Sequence, residues 1–89
     1  MSVDLGSLIE VVWEDIVAHS GWVQAQDLEQ APAVIVSIGW LTVETDKFIT
    51  VSATQGTMAL VTEYNQHITI PKGCLLSIKK LEPITVPAI

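Results

Sequence analysis

Arginine is absent from this 89-residue chain, and lysine supplies all four of its basic side chains against ten acidic ones. The formal net charge is −6. Nucleic-acid binding draws its affinity from cations that neutralise phosphates, and a basic patch is its usual footprint. This balance excludes a broad basic patch, so any nucleic-acid site must be local, repeated by symmetry, or both. Cysteine occurs once, as Cys74. That excludes an intrachain disulfide and a thiolate cluster for zinc; a lone Cys in an apolar run packs as a small hydrophobe. No apolar run approaches the roughly 20 residues of a membrane-spanning helix. The N-terminus lacks the basic start and long apolar core of a signal peptide. A soluble, reducing setting follows as the expectation, which is the cytoplasm. The two histidines, His19 and His67, are far apart and have no evident ligand partners, so no metal site or cofactor is expected. His19-Ser20 lacks the acid and oxyanion pattern of a triad, and Glu14 and Asp15 point to opposite faces of a strand. The chain is expected not to be an enzyme.

What the chain does have is apolar material: 49% of residues, with only 16% charged. A domain this short buries a modest share of its surface, and excess apolar surface is commonly shared with further copies. A homo-oligomer is expected, with a tight monomer as the alternative. The length fits one domain, over residues 1–82. Residues 83–89 hold Pro83 and Pro87 and form an apolar tail that cannot extend a central strand.

The periodicity is mostly that of strands. Residues 5–17 carry Leu5, Leu8, Ile9, Val12, Trp13, Ile16 and Val17 at helical spacing,. Their Ile and Val content and the alternation of Ile9, Val11 and Trp13 favour a strand over 9–18, with a short helical turn over 3–8 before it. Ser20-Gly21 marks a turn, and 22–31 is a polar loop or one helical turn. Ala33 to Glu44 is the clearest strand, and Gly39 in its middle marks a bulge or sharp bend. Phe48 to Ala53 is its return strand, with Ile49, Val51 and Ala53 on the core face. Gln55-Gly56 reads as a turn, 58–62 as a strand extension and 63–66 as a polar tip. His67 to Ile70 and Leu75 to Leu81 are the last strands, hinged at Pro71-Lys72-Gly73. Trp13, Trp22 and Trp40 are core or interface anchors. The fold class is all-β: a small, strongly bent, five-stranded antiparallel barrel with at most a short N-terminal helix.

Two stretches carry a resemblance. The hairpin from Gly39-Trp40-Leu41 to Asp46-Lys47-Phe48-Ile49-Thr50 resembles the first Sm-family motif, and Ile70-Pro71-Lys72-Gly73 with Leu76 and Ile78 resembles the second. Over most of its length the chain also resembles small phage-encoded proteins of unassigned function, through Val12-Trp13-Glu14, Ser37 to Leu41, Glu44 to Asp46, and Ile70 to Cys74. Sm-like proteins assemble as rings and bind single-stranded RNA around a central pore. The resemblance therefore implies a ring of five to seven subunits that binds single-stranded RNA or DNA in the host cytoplasm. Carried over by position, Phe48 would stack on a base and Thr50 would stand in the place of the base-contacting Asn. Asp46 would buttress the turn, and Lys72 with Gly73 would take the place of an Arg-Gly pair. A base stacked on an aromatic ring is worth roughly 1–3 kcal/mol. Phe48 also has a purely structural reading, as a cap on one end of the barrel, and Lys72 one as an ordinary turn residue. The alternative function is a structural or adaptor protein whose barrel binds protein. Charge placement separates the two: lysines gathered at one rim favour nucleic acid, an acidic rim favours protein.

Overall fold

The computed structural model describes residues 3–18, 20–28 and 31–82. Five strands make one antiparallel sheet: β1 (Leu8–Asp15), β2 (Ala33–Glu44), β3 (Phe48–Met58), β4 (Val61–Pro71) and β5 (Leu75–Lys80). Single 3₁₀ turns lie at Ala25–Asp27 and Lys72–Cys74. The strand order is β4-β3-β2-β1-β5. The all-β class follows from the sequence as expected, and the sheet is bent. It does not close: β4 and β5 each pair on one side only, so the figure is an open, curled sheet.

The core explains the bend. Ile9, Val11 and Trp13 of β1, Leu41 of β2, Ile49 and Val51 of β3 and Ile70 of β4 are buried together, with Ile35, Cys74, Leu75 and Ile78 packed against them. Alternation along β1 puts its odd positions inward, the strand reading of that ambiguous segment. Trp13 Nε1 donates to Ser37 Oγ at 3.0 Å, which satisfies the indole while its ring is buried. Gly39 of β2 packs directly against β3. A Cβ there would stand 2.5 Å from the Ser52 carbonyl oxygen and 2.8 Å from Val51 Cγ1. The absent side chain is what lets the two strands approach so closely.

Several boundaries differ from the sequence reading. The N-terminal segment makes no helix among the described residues; Ser7 N donates to the Asp4 carbonyl at 3.2 Å in a turn with Gly6 at φ +85°. Strand β1 ends at Asp15, leaving Ile16, Val17 and Ala18 exposed. Trp22 is 104% exposed and anchors no core in this chain. The largest difference concerns Gln55-Gly56. Both lie inside β3, and 63–66 lies inside β4, because one register runs from Phe48↔Pro71 to Met58↔Val61, interrupted only at Ala53 and Gln66, where Gln66 has φ 60°. The turn is Ala59-Leu60, with φ 51° and 68°. Neither residue is a usual turn former, which is why local chemistry pointed to the glycine. Ala53 is exposed and Ser52 is buried, because β3 leaves β2 at Ser52: the last β2–β3 pair is Trp40↔Ser52. Beyond it, β3 and β4 pair only with each other and run on as a two-stranded arm. The molecule accordingly measures 60 × 28 × 21 Å. The tail 83–89 and His19 lie outside the described residues.

Candidate functional site

Two turns meet at one end of the sheet. Between β2 and β3, Thr45 Oγ1 accepts from Lys47 N and Phe48 N, both at 3.1 Å, and Thr45 N donates to the Phe48 carbonyl at 2.9 Å. Thr45, not Asp46, therefore closes this turn, since its hydroxyl reaches the two amides that follow; Asp46 is exposed. After β4, Lys72 N donates to the Lys47 carbonyl at 2.8 Å. That bond joins the two turns. Phe48 lies opposite Pro71 across the ladder and is half-buried. Thr50 lies opposite Thr69, and their Oγ1 atoms are 2.8 Å apart, with either hydroxyl able to donate. Asp46, Phe48, Lys72 and Gly73 thus share one end, with Thr50 one pleat further along β3.

The electrostatics of this end are balanced. Lys72 Nζ lies 2.9 Å from Glu44 Oε2, with both side chains partly buried. Its charge is already matched, and Asp46 stands beside Lys47 in the same turn. Gly73 opens instead onto a cleft of about 360 Å³ whose lining includes Glu14, Asp15 and Cys74. The other two lysines, Lys79 and Lys80, are at the far end of β5, where Lys79 pairs across from Glu10. The four lysines are therefore split between two places, and each place carries acid nearby.

One cluster had no sequence signal. Ser52 Oγ is buried and lies 2.9 Å from Thr42 Oγ1 and 2.7 Å from His67 Nδ1. Thr42 Oγ1 also donates to the Thr50 carbonyl at 3.2 Å. The register pairs Ser52 with His67, but Thr42 joins only because β2 bulges between Leu41 and Val43. A bulge of that kind is a tertiary event. The chain Thr42–Ser52–His67 satisfies every member, and Ser52 is too deeply buried to meet a substrate. Among the described residues no three His, Cys, Asp or Glu side chains converge as a metal site would require, and no helix is long and apolar enough to cross a membrane.

The exposed surface is apolar in three places. The outward face of β2 carries Val34, Val36 and Ile38, the arm tip carries Met58, Leu60 and Val61, and the β1–β2 connection carries Ile16, Trp22 and Val23. Comparison with known proteins returned no match to a family model, to a curated protein or to a solved structure.

Proposed function

We propose that the chain is an assembly protein, whose copies join head to tail, β4 of one against β5 of the next, and that the assembly acts as a structural or adaptor component that binds protein. The single observation that carries this is the pair of open edges at β4 and β5. Unpaired edges are templates for strand addition, and a head-to-tail contact that closes makes a ring. The Sm resemblance supplies the expected size, five to seven subunits, and the phage resemblance supplies the setting, a host cytoplasm. The charge arrangement favours protein over nucleic acid as the partner. Lysines gathered at one rim were the sign of a phosphate site, and here Lys72 is spent on Glu44 while Lys79 and Lys80 lie elsewhere. No catalysis is part of this reading.

One observation supports a second reading, single-stranded RNA or DNA bound at Asp46, Phe48, Thr50, Lys72 and Gly73: the Lys72 N to Lys47 carbonyl bond brings the two turns of the Sm-like motifs side by side. Native mass spectrometry with and without ten-nucleotide oligo-U and oligo-dT separates the readings. Assembly without bound oligonucleotide at tens of micromolar is the expected result. A mass near 9.7 kDa at micromolar concentration would sink the assembly. Oligomers that retain the oligonucleotide would move the function to nucleic acid.

A further inference from the structure

We infer that the β3–β4 arm seats its apolar tip on the neighbouring copy, in the cleft beside Trp40 and Leu81, with Glu63 set against Lys80 of the neighbouring copy. This rests on the edge-to-edge assembly proposed above and adds its polarity, register and second contact.

The polarity follows from charge. Strand β4 carries one carboxylate, Glu63, near its start, and Ile68 and Ile70 near its end. Strand β5 carries Leu75 and Leu76 at its start and Lys79 and Lys80 at its end. Antiparallel pairing of the two edges sets acid against base and apolar against apolar. Parallel pairing sets Ile68 and Ile70 against the lysines and Glu63 against leucine. Opposed charges across a ladder stabilise it, and charge left opposite apolar groups does not. The antiparallel register that places Glu63 opposite Lys80 of the neighbouring copy also brings Ile68 to its Leu75 and Leu76, where β5 bulges.

That register carries the arm past the end of β5. The next residues of β4, Thr62 and Val61, then fall beside Leu81 and Glu82 of the neighbouring copy. There the fold has a cleft of about 350 Å³ whose lining mixes Leu5, Leu8, Trp40 and Leu81 with Ser7, Lys80 and Glu82. Leu81 N donates to the Leu8 carbonyl at 2.8 Å, and Gly6 N donates to the Leu41 carbonyl at 2.8 Å, so the cleft walls are tied to β1 and β2. The arm tip offers apolar side chains to the leucines and Trp40 of that cleft: Met58 is 81% exposed, Leu60 99% and Val61 58%.

Area makes the second contact necessary. The β5 edge is six residues long, roughly 20 Å. A contact of that length and one strand's width covers roughly half of the about 800 Å² per partner that a stable interface buries. A two-stranded ribbon with both faces in water is also marginal alone, and this one gains a surface to lie on.

Charge reversal and crosslinking test the seating on the full chain. Glu63→Lys and Lys80→Glu, made singly, are each expected to raise the concentration at half-assembly by about three- to tenfold, and the double reversal to restore it. In a Cys74→Ser background, Leu60→Cys with Leu5→Cys is expected to give disulfide-linked oligomers on mild oxidation, while either Cys alone gives none beyond a dimer. Wild-type oligomers that ignore the reversals and fail to crosslink would overturn the arm seating and leave the edge pairing standing. A wild-type monomer would overturn both.

Discussion

Gly39 and Thr45 decide more of this molecule than their size suggests. Any side chain at Gly39 must displace backbone, because the Ser52 carbonyl stands 2.5 Å from the position a Cβ would take. Overpacking of this kind costs about 3 kcal/mol, so Gly39→Ala is expected to lower the denaturant midpoint sharply while chain length and charge are unchanged. Phe48 and Lys72 are the residues on which the two functional readings differ. Under the assembly reading Phe48→Ala lowers thermal stability by removing half-buried ring surface beside Pro71. Lys72→Ala then releases Glu44 at a cost of about 1 kcal/mol or less, as for other solvent-reached ion pairs. Under the nucleic-acid reading both variants would weaken oligonucleotide binding, and Lys72→Ala would flatten its salt slope. Fluorescence anisotropy at low salt, run beside a melting curve for each variant, is expected to show the change in the melt alone.

Among the elements, the arm is the unusual one. Its turn has the tight two-residue form that needs φ above zero at both central positions, where Asn-Gly is the favoured pair. Here Ala59 and Leu60 hold φ 51° and 68°, at a cost of about 1–2 kcal/mol per residue. The exposure of Leu60 fits the contact proposed for the arm tip on assembly. Replacing Ala59-Leu60 by Asn-Gly is therefore expected to act in two directions. Hydrogen exchange at the amides of Met58 and Val61, the bonded pair that flanks the turn, should slow, because the turn relaxes. Assembly should weaken, because the tip loses its leucine. Slower exchange with assembly unchanged would mean that the tip touches no neighbour. Strand β1 makes the complementary case: its Ile and Val content disfavours helix, and pairing with β2 on one side and β5 on the other leaves no freedom for the helical spacing.

For the whole molecule, the governing fact is the open sheet. Its end strands are 11 and six residues long, with Ile68 and Leu76 partly exposed along them. Ile68→Lys and Leu76→Lys each put an unpaired charge into the proposed contact, at side chains 37% and 53% exposed, with Ile68 across the ladder from buried Val51. Each is expected to give a folded monomer by analytical ultracentrifugation, with the circular dichroism of wild type. Loss of strand signal would instead assign these residues to the fold of the single chain. The shape sharpens the point: the radius of gyration is 17.1 Å, against about 12 Å for a compact chain of this length. The arm, which runs on beyond β2, contributes to the difference.

The strand content and the inward residues of β1 were legible in the sequence, because alternation and β-branched content are local signals with local causes; the bulge expected at Gly39 lies instead between Leu41 and Val43. Also legible were the two turns at Asp46 and Lys72, whose residue types fit turns wherever they fall. The tertiary structure alone decided where the long hairpin turns, since Ala59-Leu60 gives no local sign and the pairing of 48–58 with 61–71 in one register overrides Gln55-Gly56. It alone matched Lys72 with Glu44, 28 residues apart, and placed Thr42 against Ser52 through a bulge. It alone left the sheet open, because closure depends on whether β4 and β5 come within 4.7–4.9 Å of each other, and that distance is set by the summed twist and bend of every strand between them.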